Sequence, residues 1–163
     1  MTARLICGEL DRSGDQVAQR ALQLAGGLAR LGVEDGDVIA VMLRNGPAYI
    51  DATHMAYTSG TTGRPKGVKR LAPAPEEREA MAAAMQGLSR AAWGIEPGVR
   101  TLVSAPLYHS APSSFAQQSI LQAELMVVMP RFDAEQTLAL IEQYRIDTVF
   151  LVPIMYVRLL RLP

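Results

Sequence analysis

Apolar positions in this chain recur first at helical spacing and then in short continuous runs, and the two rhythms alternate. After Ser13, the residues Val17, Ala21, Leu24, Leu28 and Leu31 return every three or four positions, which predicts an amphipathic helix. Ser13 with Gln16 forms a capping box at its start, and Gly32 supplies a stop at its end. Asp35-Gly36 then turns the chain into residues 38–43, a run apolar enough to predict a buried strand. Asn45-Gly46-Pro47 breaks that run, and a short helix holding Tyr49 and Ile50 follows.

Beyond a Gly- and Thr-rich segment, Pro75, Glu76 and Glu77 place proline and negative charge at a helix start. The Ala- and Met-rich stretch that follows predicts a helix to Trp93, stopped by Gly94, with Met81, Met85 and Leu88 on its inner face. Strands at 101–105, 125–129 and 148–152 then alternate with helices at 113–121 and 134–144, and a last helix starts near Pro153. Parallel neighbours can be joined only by crossovers, so this alternation predicts an α/β fold, a mostly parallel sheet flanked by helices on both faces.

Composition narrows the class without changing it. The 163 residues are 49% hydrophobic and 20% charged, which fits one globular domain and excludes a disordered or collagen-like chain. Sixteen basic and sixteen acidic residues cancel, so no global field gathers nucleic acid or anionic membrane, and any phosphate site is built locally. A lone Cys7 forms no internal disulfide, and with only His54 and His109 no cluster has metal-ligand spacing. No export leader is read at the N-terminus, and no run reaches the roughly 18 apolar residues of a membrane span. The expectation is a cytoplasmic protein without a resident metal site.

The candidate chemistry sits in Tyr57-Thr58-Ser59-Gly60-Thr61-Thr62-Gly63-Arg64-Pro65-Lys66-Gly67-Val68, where four Ser/Thr hydroxyls, three glycines and a lysine fall within twelve positions. Glycines let backbone N–H groups converge on phosphate oxygens. The hydroxyls of Thr58, Ser59, Thr61 and Thr62 add neutral donors, and Lys66 adds one compact positive charge. The segment is no Walker A loop, because Pro65 precedes Lys66 and Gly67 follows it, where that pattern has Gly and then Ser or Thr. Pro65 disfavours helix at Arg64, so the prediction is strand, loop, strand. The plain alternative is a Gly/Thr-rich surface turn.

This segment resembles the phosphate-binding motif of the adenylate-forming superfamily, which includes acyl- and aryl-CoA ligases and peptide-synthetase adenylation domains. Pro106-Leu107-Tyr108-His109-Ser110-Ala111-Pro112 is similar to the family's next signature, and both flanks, from Leu31-Gly32-Val33 to Asn45 and from Met129 to Pro153, resemble the corresponding stretches. The resemblance implies an enzyme, an AMP-forming carboxylic acid–CoA ligase of the fatty, aryl or bile acid type, with ATP, Mg2+ and CoA as cofactors and a small carboxylic acid as substrate. It implies that Thr58, Ser59, Gly60, Thr61, Thr62, Gly63 and Lys66 hold the β- and γ-phosphates, with Lys66 and Thr58 in the catalytic role, and that His109 lines the acid pocket. The bland reading of His109 is a ring satisfied by nearby backbone.

Against the family's pattern, residues 1–52 read as an N-terminal helix–strand piece and 53–163 as a partial AMP-binding domain, an incomplete part of the large N-terminal region. The C-terminal lid domain and its lysine are absent from these residues. Seven residues separate Ile50 from Thr58, fewer than a parallel crossover needs, which marks residues 51–54 as a junction. A deletion, a disrupted reading frame or a partial chain would each leave this spacing. The expectation is that these 163 residues alone are inactive. The alternative is a non-catalytic nucleotide-binding remnant or oligomerising paralogue; homodimerisation stays open.

Overall fold

The computed structural model describes residues 3–34, 37, 41–52, 57–58, 66–67 and 75–163. Its frame is a five-stranded sheet built from β1 (Arg4–Cys7), β2 (Leu10–Arg12), β5 (Arg100–Val103), β6 (Leu125–Val128) and β7 (Thr148–Phe150), in the order β2-β1-β6-β5-β7. All neighbours are parallel except the β1–β2 hairpin at one edge. The helices are α1 (Gly14–Arg30), α2 (Pro47–Ala52), α3 (Arg78–Trp93), α4 (Ser110–Gln122), α5 (Ala134–Tyr144) and α6 (Pro153–Leu159). Two short strands, β3 (Tyr57–Thr58) and β4 (Lys66–Gly67), form a separate antiparallel pair.

Alternation along the central strands sorts their side chains to two faces. Leu5, Val103, Met126 and Val128 face a core completed by Val17 of α1, Tyr49 and Ile50 of α2, and Phe115 and Ala116 of α4. Ile6, Leu102, Leu125 and Val127 face the other way, onto Leu140, Ile141 and Tyr144 of α5. With both faces covered, β6 is apolar at every position and its four residues are all buried. The expected mostly parallel α/β sheet with helices on both faces is what forms.

Local signals explain most of the elements. Ser13 Oγ accepts from the Gln16 N–H at 3.3 Å while Gln16 Oε1 accepts from the Ser13 N–H at 2.8 Å, the expected capping box. Gly94 ends α3 at φ +63°, in the left-handed region where a Cβ is strained. Asp133 caps α5 by accepting from the Gln136 N–H at 2.8 Å.

Three expectations fail. Of the strand expected over residues 38–43, residues 38–40 lie outside the described residues and 41–43 are not strand: Met42 is 93% exposed, and Asn45 just after it is bonded beyond the carboxyl ends of β5 and β6, so this stretch passes the sheet where no edge is free. The inner face expected for α3 holds at Met85 but not at Met81 and Leu88, which are about half exposed; Ser89 is fully buried, with Met85 and Trp93 half-buried four residues to either side. On α1 only Val17 is buried, and Leu31 lies exposed. The strand pair β1–β2 was not anticipated at all.

One side chain joins the parts. The chain leaves β5 toward α4 on one face and leaves β6 toward α5 on the other, so the two adjacent strands diverge at their carboxyl ends. Asn45 fills that divergence: its Nδ2 donates to the Ala105 carbonyl at 2.9 Å and the Met129 carbonyl at 3.2 Å, and its Oδ1 accepts from the Leu107 N–H at 2.8 Å. Only an amide offers two donors and an acceptor in that geometry.

Asn45→Ala should lower stability by about 2–3 kcal/mol, the sum of several hydrogen bonds and orphaned backbone groups. Asn45→Asp, which loses both donors, should be no better. Ser13→Ala should cost about 1 kcal/mol. Urea unfolding followed through Trp93, the chain's single tryptophan, measures each, and an unchanged midpoint for Asn45→Ala would refute its role as a fastener.

Candidate active site

The phosphate-loop segment is described at its base. Tyr57 pairs with Gly67 and Thr58 with Lys66, so two of the predicted ligands stand directly opposite each other on antiparallel strands. Strands thus form at 57–58 and 66–67 and pair antiparallel, as far as the expected strand, loop, strand falls on described residues. Ser59, Gly60, Thr61, Thr62 and Gly63 lie outside the described residues, so their predicted roles rest on the sequence.

His109 is described in full. Leu107 is held by Asn45, the His109 N–H donates to the Pro106 carbonyl at 3.2 Å, and His109 serves as the N-cap residue of α4, its own carbonyl accepting from the Ser113 N–H at 3.1 Å. Two prolines and this turn fix where the ring leaves the backbone. The imidazole is exposed and packs on the Tyr108 ring with centroids 4.5 Å apart. It makes no side-chain hydrogen bond to a described residue.

His109 and Tyr108 form the rim of a cavity of about 490 Å³ whose walls include Ala105, Phe150, Ile154 and Met155. No lining residue is acidic, lysine or arginine. Such a volume suits a small organic ligand, and its apolar walls suit a hydrocarbon or aromatic body. Behind it Phe150 packs on Phe115 at 5.6 Å and Phe115 on Trp93 at 6.2 Å, a row of rings that stiffens one wall.

Asn45 was missed in the sequence because Asn-Gly-Pro reads as a turn, and the three backbone groups it serves lie some sixty to eighty-four positions away. Cys7 is half-buried, and burial pushes its thiol above the usual range, which matches an inert residue. Among the described residues no group of His, Cys, Asp and Glu is placed to hold a metal ion, and no helix is long and apolar enough to cross a membrane.

Comparison with known proteins agrees with this geometry. Residues 50–163 match the model of the family described as AMP-binding enzyme. The chain is 35% identical over 109 residues to the medium/long-chain-fatty-acid–CoA ligase FadD8 of Mycobacterium tuberculosis, covering 67% of this chain and 18% of that protein. It is 33% identical over 104 residues to the 2-succinylbenzoate–CoA ligase of Bacillus pumilus, covering 64% of this chain and 20% of that one. It thus spans about a fifth of the length of these curated relatives. In fold it matches o-succinylbenzoate CoA synthetase (MenE) of Bacillus subtilis with a TM-score of 0.75 at 19% identity, over 98% of this chain and 48% of that one. A family match across most of its residues, carried on the fold of adenylate-forming enzymes, places this chain in the AMP-binding enzyme family.

Proposed function

We propose that this chain is the phosphate-holding and acid-lining part of an AMP-forming carboxylic acid–CoA ligase. The observation that carries the reading is the sequence of residues 57–68, rich in glycines and hydroxyls with one lysine, together with the antiparallel pairing of Thr58 with Lys66. The relatives named as CoA ligases for a fatty acid and for 2-succinylbenzoate support the reaction class, and their difference leaves the acid open between fatty and aryl types.

In the reaction, the substrate carboxylate attacks the α-phosphorus of ATP, releasing pyrophosphate and leaving an acyl-adenylate; the CoA thiol then displaces AMP to give the thioester. Thr58, Ser59, Gly60, Thr61, Thr62, Gly63 and Lys66 would hold the β- and γ-phosphates and counter the charge that develops on the leaving pyrophosphate. The donor set fits a polyphosphate, and a structure of MenE holds ATP and magnesium. Magnesium, carried on the nucleotide's phosphates, would neutralise part of their charge. His109 and Tyr108 would hold the acid at the rim of the apolar cavity. The acid needs no strong base, since a carboxylate is already ionised near neutral pH.

The acid-binding half is tested without turnover. Titrating the chain with octanoate or a benzoate should move the NMR signals of the His109 and Tyr108 rings, and Ile154→Trp, which fills the cavity from a position 57% exposed, should weaken binding about tenfold. A chain that served only as a nucleotide-holding remnant would leave those signals still. With ATP, magnesium and acid, the 163 residues alone should release no pyrophosphate above a Lys66→Ala control.

A further inference from the structure

A second crevice, of about 270 Å³, opens on the other side of Tyr108 and Met155 from the apolar cavity, at the divergence of β5 and β6. Its lining brings together Arg44 from the stretch before α2, Arg131 from the loop after β6, and Arg158 from α6, around Asn45, Ser104 and Tyr108. No aspartate or glutamate lines it. The three arginines come from parts of the chain far apart in sequence, and only the fold gathers them.

Their convergence is the informative feature, since Arg30, Arg100, Arg145 and Arg161 also lack an ion pair among the described residues but none of them lines this crevice. Arg4, Arg12, Arg20 and Arg90 each pair with a carboxylate, on Asp11, Asp51, Asp51 and Glu96 respectively. Arg44, Arg131 and Arg158 make no ion pair or hydrogen bond to a described residue, although the chain carries as many acidic residues as basic ones. Three like charges around one small crevice repel each other unless an anion joins them. Guanidinium groups suit carboxylate and phosphoryl oxygens in particular, because their planar fork donates two parallel hydrogen bonds. The carboxyl ends of diverging strands in an open α/β sheet are where such folds bind ligands.

We propose that this crevice is an oxyanion-binding site, distinct from the 57–68 loop, for a carboxylate or phosphoryl group of a small molecule. Arg131 and Arg158 are its principal ligands, with Arg44 closing it from the third side. Because it shares the Pro106, Tyr108 and Met155 wall with the apolar cavity, a carboxylate source would be the far end of a dicarboxylic acid, and a phosphoryl source would be a phosphate ester. The site does not depend on the ligase reading, and its test contains no nucleotide.

The probes are inorganic phosphate and suberate, an eight-carbon dicarboxylate, each titrated into isotope-labelled chain. The reporters are the Asn45 side-chain amide, which lines the crevice, and the Leu107 backbone amide bonded to it. At least one probe should move both signals, and Arg131→Gln and Arg158→Gln should each weaken that binding about tenfold, as loss of a charged hydrogen-bond partner does. Arg161→Gln, exposed on the same C-terminal segment but outside the lining, should leave it unchanged. Suberate alone would assign the carboxylate source and phosphate alone the phosphoryl source. If neither probe moves these amides, or if the Arg131 and Arg158 variants bind as well as Arg161→Gln, the site does not exist.

Discussion

Adjacent parallel strands whose connections leave on opposite faces cannot keep pairing at their carboxyl ends, and that gap is the constraint on which this structure turns. Backbone groups exposed there need partners, because buried orphan carbonyls and amides are costly. Asn45 supplies three bonds from a single side chain, reaching Ala105, Leu107 and Met129. In doing so it sets the path of the chain into Tyr108 and His109, and so the rim of the apolar cavity on one side and the arginine crevice on the other. The residue comes from a stretch that contributes no strand of its own.

The same economy runs through the sheet. β1, at the start of the chain, is wedged between β2 and β6, with Leu5 and Ile6 pointing into opposite cores, so the earliest residues are tied to the later ones. Several buried hydroxyls are answered by backbone: Thr101 Oγ1 donates to the Leu125 carbonyl, Ser104 Oγ to the Phe150 carbonyl and Ser119 Oγ to the Phe115 carbonyl. At the end of α2 the Asp51 carboxylate, nearly buried, is met by Arg12 at 3.2 Å and Arg20 at 3.9 Å, which links β2, α1 and α2.

What the sequence showed depended on how local its cause was. The cap of α1, the Gly94 stop of α3 and the whole succession from β5 to β7 follow from spacing and capping within a few residues, and they were read correctly. β1 was illegible because four residues facing two cores carry no period, and its pairing partner β6 lies far down the chain. Residues 41–43 misled because an apolar run says nothing about whether a sheet edge is free to receive it. In α3 the many alanines leave several faces nearly equivalent, so packing of Trp93 and Ser89, not periodicity, chose the inner one. At the site the contrast is the same: the 57–68 segment is contiguous and carries its own sequence signature, whereas Asn45 and the three arginines are brought together only by the fold.

On the proposed reading, the 57–68 segment holds a polyphosphate and the apolar cavity an acid. The loop is the central claim, and equilibrium dialysis of Mg·ATP against the folded chain and its Lys66→Ala variant tests it most directly. A charged hydrogen bond contributes about 1.5–3 kcal/mol, so Lys66→Ala should weaken nucleotide binding by about tenfold or more while leaving the unfolding midpoint unchanged. A folded chain that binds no nucleotide, or a Lys66→Ala variant that binds it as tightly as the parent, would contradict the account.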